Sequence, residues 1–153
     1  MVRTPEFEGK KALPCAEEAA FLELLRTTDT LTRRLAEVLK VEELSSNQYN
    51  VLRILRGALD GLPCGEIGSR MITRDPDITR LLDRLEKRRL IARSREARDR
   101  RMVMARITPQ GLDVLARTDE PVRQAHRSLL GHLGRERLRS LTELLQLARQ
   151  HAG

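Results

Sequence analysis

In the stretch Arg74-Asp-Pro-Asp-Ile-Thr-Arg-Leu-Leu-Asp-Arg-Leu-Glu86, apolar side chains recur at Ile78, Leu81, Leu82 and Leu85. That i, i+3, i+4, i+7 spacing puts all four on one face of a helix. Thr79, Arg80, Asp83, Arg84 and Lys87 fall off that face. Asp75 is expected as the N-cap, because a carboxylate accepts from backbone N–H groups that lack an intrahelical partner. Pro76 suits the first helical position, where a missing N–H costs nothing. A short helix with an apolar back and a cationic, hydrogen-bonding front is thereby expected. Its back must be buried and its front must meet water or an anion.

The flanking residues extend the pattern. Glu66 to Met71 is expected to form a short helix leading through Ile72-Thr73-Arg74. After Lys87-Arg-Arg-Leu90, Ile91 to Arg95 can run as a strand. Val103, Ala105 and Ile107 alternate with Met102, Met104 and Arg106, which is the signature of a second strand. Between them, Glu96-Ala-Arg-Asp-Arg-Arg101 is polar enough and short enough to be a hairpin tip. Helix, turn, helix and hairpin in that order make a winged helix-turn-helix.

Charge is concentrated on the same residues. From Glu66 to Arg106 there are thirteen Lys and Arg against seven Asp and Glu, a net of +6 in a chain whose total is +7. A chain that is nearly neutral outside one module carries a localised polyanion-binding footprint. All but one of those cations are arginines, whose planar fork suits phosphate and guanine edges. A solvated cationic surface is the plain alternative, and the ordered helix-turn-helix argues against it. Duplex DNA is favoured over RNA, because a helix fits the B-DNA major groove while single-stranded RNA recognition leans on aromatic stacking. The only aromatic residues, Phe7, Phe21 and Tyr49, lie outside the basic module.

Asp77-Ile-Thr-Arg-Leu-Leu-Asp-Arg-Leu-Glu86, Leu90-Ile-Ala-Arg93, Asp99-Arg-Arg101 and Ile107-Thr-Pro-Gln-Gly111 closely resemble the MarR family of transcriptional regulators. Asn47-Gln-Tyr-Asn-Val-Leu-Arg53 is similar to the family's second helix, and the resemblance runs from about Ala16 to the end. It implies a homodimer on a pseudo-palindromic operator, generally a repressor released by a small anionic or phenolic ligand or by thiol oxidation. Carried onto this chain, the family motif sets Thr79, Arg80 and Arg84 toward the DNA groove, with Asp77 beside them and Arg74 within reach of phosphate. At the wing, Arg101 is the candidate for the minor groove, and Arg98 and Arg100 for phosphate. Asp83 and Asp99 are expected to orient the wing rather than touch DNA. Two positions depart from the family pattern: Pro63 stands where Thr or Ser is common, and Gly68 replaces the usual alanine.

The remaining chain supports one domain, 15–153, comprising a winged module at 61–108 and helices at 16–57 and 109–150. Residues 1–14, with two prolines, a glycine and mixed charge, are expected to be a flexible arm. The run from Phe21 to Leu39 is amphipathic. Ser45 with Gln48 makes a capping box for the next helix, which ends by Gly57. Thr108 and Pro109 open a long helix with a kink expected at Pro121, and a last helix follows Gly134. These terminal helices carry more leucine than a small winged helix can cover, so they are expected to form the dimer interface. The expected fold class is mainly α with a small β-hairpin wing.

Other functions find little support. No paired carboxylates in apolar surroundings, Gly-rich phosphate loop or Ser/His/Asp cluster suggests an enzyme, and no cofactor is expected. His126, His132 and His151 fit no metal motif. Cys15 and Cys64, with 48 residues between them, do not make a disulfide scaffold. Both are read first as ordinary thiols, with redox activity of Cys15 or Cys64 as the alternative. Cys15, however, lies where the peroxide-sensing branch of the family carries a cysteine, so thiol sensing stands as an alternative. A non-specific winged-helix module for nucleic acid or protein is another. No apolar run reaches membrane-spanning length and no signal peptide is evident, so a cytoplasmic protein with no membrane partner is expected. Arg26 or Arg53 could pair with an effector's carboxylate, although solvation is the simpler role for both.

Overall fold

The computed structural model describes residues 15–153. The expected arm at 1–14 lies outside the described residues. Six helices and a three-stranded sheet follow one another: α1 (Ala16–Leu39), α2 (Ser46–Arg56), β1 (Leu62–Pro63), α3 (Cys64–Arg70), α4 (Ile78–Lys87), β2 (Ile91–Arg95), β3 (Val103–Ile107), α5 (Pro109–Leu130) and α6 (Gly134–Ala152). Short 3-10 turns, Lys40–Glu42 and Gly131–Leu133, join α1 to α2 and α5 to α6. The fold is mainly helical with a small antiparallel sheet, as a winged helix-turn-helix requires.

Local chemistry explains most boundaries. Ser45 Oγ accepts from the Gln48 N–H at 3.1 Å, and Gln48 Oε1 accepts from the Ser45 N–H at 3.0 Å, which closes the capping box of α2. Thr108 Oγ1 caps α5 by accepting from the Gly111 N–H, and its hydroxyl donates to the Arg89 carbonyl. α5 continues through Pro121 as a single helix.

The sheet has the order β1-β3-β2, with Arg93 opposite Ala105 and Arg95 opposite Val103. β1 was not expected. It is two residues long, Leu62 opposite Ala105 and Pro63 opposite Met104, too short to show alternation. Pro63 is tolerated because β1 is an edge strand that need not donate on its outer side. The same residue sits at the N-cap position of α3 and supplies no side-chain cap.

The core lies where the end of α1, α2, α3, α4, the sheet and the start of α5 converge. Leu39, Val51, Leu52, Leu55, Ile67, Leu82, Leu85, Ile91 and Leu115 are its fully buried side chains. Arg56 of α2 holds Asp119 of α5 through two hydrogen bonds of 3.0 and 2.8 Å, which ties the module to the long helix. Elsewhere the picture reverses. α6 buries none of its residues, and α1 buries only Leu39.

Gly111 marks the closest backbone approach. A Cβ there would lie 2.3 Å from the Leu90 carbonyl oxygen and 2.7 Å from Ile107 Cγ1. Gly68 is different, since an added Cβ would meet Ile78 Cγ1 at 4.0 Å, an ordinary contact. Packing therefore does not require glycine at 68. Gly111→Ala is expected to lose about 1–3 kcal/mol through overpacking. Gly68→Ala should gain up to about 1 kcal/mol of helix propensity. Urea unfolding of both variants at one fixed protein concentration checks the opposite signs.

Candidate nucleic-acid interface

α4 buries Leu81, Leu82 and Leu85 and leaves Thr79, Arg80, Asp83, Arg84 and Lys87 exposed. Its N-cap is Asp77, not Asp75: Asp77 Oδ1 accepts from the Arg80 N–H at 3.0 Å, and the helix begins at Ile78. The physical reason is that Asp75 is already engaged. Its Oδ1 accepts from the Asp77 N–H at 2.9 Å, and its Oδ2 accepts from Asn47 Nδ2 at 2.8 Å. Pro76 accordingly belongs to the turn before the helix. Asp77, placed by the sequence among the DNA-facing residues, has one carboxylate oxygen committed to the cap.

The turn from α3 to α4 hangs from two asparagines of α2. Asn47 holds Asp75, and Asn50 Oδ1 accepts from the Ile72 N–H at 2.9 Å. Arg74, within that turn, is exposed. At the other end, the Leu90 N–H donates to the Leu85 carbonyl while Arg89 takes a left-handed φ of 60°, a conformation that closes helix C-termini. Arg88 then reaches the carbonyls of Glu42 and Glu43 at 2.9 and 2.7 Å. Glu42 in turn takes a two-point contact from Arg117 of α5. Both ends of α4 are thus tied to the helical frame.

The wing is tied to α4 as well. Arg93 of β2 donates to Asp83 at 2.5 Å and twice to Glu86 Oε2, at 3.0 and 2.7 Å. Its backbone N–H donates to Glu86 Oε1 at 3.0 Å. At the tip, Asp99 Oδ1 accepts from the Arg101 N–H, and the Asp99 carbonyl accepts from the Met102 N–H. Asp99 therefore shapes the tip, and Arg98, Arg100 and Arg101 project into solvent. Asn47, Asn50, Glu86, Arg88 and Arg93 escaped the sequence reading. The Asn47–Arg53, Asp77–Glu86 and Leu90–Arg93 motifs contain all of them except Arg88, without marking their roles.

Nine of the module's thirteen cations fall into two sets; of the other four, Arg95 donates to the Arg100 carbonyl, Arg106 to Ser94, and Lys87 and Arg89 are exposed. Arg70, Arg88 and Arg93 are engaged within the fold, Arg70 by Glu66. Arg74, Arg80, Arg84, Arg98, Arg100 and Arg101 are exposed and form no ion pair with a carboxylate among the described residues. An exposed set of unpaired arginines on a helix and a hairpin is suited to binding a polyanion, not to bond chemistry.

The thiols and histidines sit apart from this set. Cys15 is exposed at the N-cap of α1, where its Sγ accepts from the Glu18 N–H at 3.5 Å. Cys64 opens α3 and is half-buried, and burial pushes its thiol above the ordinary value despite the opposing field of Arg93. Such a thiol holds less thiolate, the form that reacts with oxidants. His126 is exposed on α5 rather than packed within the chain. Among the described residues, no three His, Cys, Asp or Glu side chains gather as a metal site. No described helix is long and apolar enough to cross a membrane.

The hydrogen bonds from the Arg93 side chain hold the Glu86 carboxyl below the ordinary carboxylate value. A depressed folded-state value means that Glu86 stabilises the fold fully above its ordinary pKa, and that this contribution is lost as pH falls through the lower value. From about pH 5 to about pH 3, wild type should therefore lose more stability than Glu86→Gln. Urea midpoints of the two proteins across that window check the difference in slope.

With this geometry in view, comparison with known proteins is direct. A sequence model of the MarR family matches residues 44–103, from just before α2 to the start of β3. The chain is 39% identical to a MarR transcription factor from Planctomyces limnophilus, aligned over 89% of this chain and 99% of that one with a TM-score of 0.69. It is 26% identical over 124 residues to the HTH-type transcriptional regulator FarR of Neisseria gonorrhoeae, 80% of this chain and 83% of that one. It is also similar to the transcriptional repressor CouR bound to a 23-mer DNA duplex, with a TM-score of 0.78 and 26% identity over 91% of this chain and 99% of that one. The chain belongs to the MarR family and is a DNA-binding transcriptional regulator, not an enzyme.

Proposed function

We propose that the protein is a homodimeric repressor of a pseudo-palindromic operator, with α4 in the major groove and the wing in the adjacent minor groove. The observation that carries this reading is the unpaired arginine set, Arg80 and Arg84 on α4 and Arg98, Arg100 and Arg101 on the wing, held on a rigid support. Arg80 and Thr79 face outward near the start of the helix, where base edges are met in helix-turn-helix proteins. Arg101 suits a narrow A·T-rich minor groove, whose negative potential attracts arginine. CouR, a relative named as a repressor and seen on a DNA duplex, supports the repressor and duplex-DNA parts of this reading.

The terminal helices support the dimer. Phe21 is 60% exposed, Leu25 53%, Leu144 63% and Leu147 61% in the single chain. Apolar side chains on two helices that bury almost nothing else are suited to a shared interface. Two α4 helices linked through it would meet half-sites about 34 Å apart, one turn of B-DNA.

Release by a small anionic or phenolic ligand completes the reading. A cleft of about 690 Å³ lies where the end of α1, the start of α2 and α4 meet, lined by Lys40, Ser45, Gln48, Asp75 and Arg84 among others. Lys40 and Arg84 could pair with a carboxylate there, although Glu43 and Asp75 also line the cleft and Asp75 is already engaged by Asn47. Arg26 is paired with Glu23 beside another cleft, and Arg53 stacks 5.7 Å from the Tyr49 ring. A ligand there that favours the DNA-incompetent spacing by about 1–3 kcal/mol would weaken operator binding roughly five- to 150-fold.

Arg80→Ala should cost about 1–3 kcal/mol and relax preference at one position per half-site. Arg101→Ala should weaken binding most where the flanks are A·T-rich. Binding by both variants indistinguishable from wild type would overturn the assignment. For the ligand, benzoate- and salicylate-like acids should displace the protein from its operator. Release by peroxide alone, abolished in Cys15→Ser, would replace the ligand with a thiol switch, and release by neither would leave a constitutive binder.

A further inference from the structure

We infer that Glu86, acting through Arg93, is a positioning residue that sets where the wing stands relative to α4, and hence where Arg101 meets DNA. The inference rests on the reading of Arg101 as the wing's DNA contact and extends it to two residues that touch no DNA.

Glu86 lies near the C-terminal end of α4, between its buried stripe and its exposed face. Both of its oxygens are used. Oε1 accepts the Arg93 backbone N–H at 3.0 Å, and Oε2 accepts from Nε at 3.0 Å and Nη2 at 2.7 Å. The same Nη2 also donates to Asp83 Oδ1, one turn earlier on the helix. A planar fork held by two carboxylates and a backbone bond fixes orientation as well as distance. Arg93 is the more sheltered member, its side chain 22% exposed against 38% for Glu86 and 56% for Asp83.

The place of the clamp gives it leverage. Arg93 stands opposite Ala105, which is fully buried, so the pair marks the root at which the hairpin leaves the core. Beyond it run only Ser94 and Arg95 on one strand and Met104 and Val103 on the other, before the tip. At ~3.3 Å per residue the tip stands about 10 Å past the root, so a tilt of roughly 15° at Arg93 shifts Arg101 by about 2–3 Å against a minor groove about 6 Å wide. The clamp adds only a small, pH-dependent part of the global stability, because partly exposed ion pairs are screened by solvent. Its consequence is the direction in which the wing points.

The test is a double-mutant cycle read beside amide exchange. Wild type, Glu86→Ala, Arg101→Ala and the double variant are titrated on a duplex with A·T-rich flanks, selected from a random pool by the purified wild-type protein. Glu86→Ala is expected to weaken binding about tenfold in wild type and less than about twofold once Arg101 is absent. Glu86→Gln keeps an acceptor for the Arg93 backbone N–H and should recover part of the loss. Amide exchange at Glu96 and Met102, whose N–H groups donate to the Met102 and Asp99 carbonyls, should accelerate in Glu86→Ala, while Leu85 and Leu115 keep their protection. Additive binding losses, or exchange that rises equally throughout, would overturn the inference by making Glu86 a residue of general stability. If Arg101→Ala binds like wild type, the reading of Arg101 fails instead. The exchange rates then decide the clamp alone, and unchanged rates at Glu96 and Met102 overturn it.

Discussion

The burial of Leu81, Leu82 and Leu85 behind α4 is the constraint on which the rest of the molecule depends. Ten residues are too few to hold a helix in water without tertiary support. Each fully buried leucine contributes about 1.5–3 kcal/mol relative to exposure, and Leu82 and Leu85 are 1% and 0% exposed. That burial lets the opposite face carry Thr79, Arg80 and Arg84 with no packing role. Every neighbouring element can be described by how it builds the site for those leucines: α2 and α3 beneath, the sheet beside, and the start of α5 closing over Leu90 through Gly111.

Polar contacts then remove the freedom that burial leaves. Asn47 and Asn50 hold the approach to α4, Arg88 holds its exit to the carbonyls before α2, and Arg93 holds the wing to its side. The division of arginines follows from this. Those that meet a carboxylate or carbonyl at the root of an element orient it, and those at its outer surface stay unpaired. A bound polyanion thus meets charges whose positions are already set, so less ordering is required on association.

Much of this was legible in the chain. The 3.6-residue period of α4, the Ser45–Gln48 box, the Thr108–Pro109 start and the bounds of β2 are local signals, and each appears in the fold. The failures share one cause, which is that a partner distant in sequence decided the outcome. Asp75 and Asp77 both look like caps beside Pro76, and only Asn47, 28 residues before Asp75, settles the choice. β1 exists because β3 offers it an edge, not because Leu62 and Pro63 alternate with anything. Glu86 and Arg93 are seven apart, but the turn between α4 and β2 breaks the helical period that this spacing would otherwise imply. The leucine surplus of α6, by contrast, was legible in the sequence, and Leu144 and Leu147 are exposed in the fold.

The central claim is that two such modules read one duplex together, each with α4 and a wing. Hydroxyl-radical footprinting on a duplex selected by the protein tests this most directly. The account predicts two symmetry-related sets of protected sugars about one helical turn apart, each flanked by protection in the adjacent minor groove. A single unsymmetrical patch, or the same uniform protection on any duplex, would contradict it.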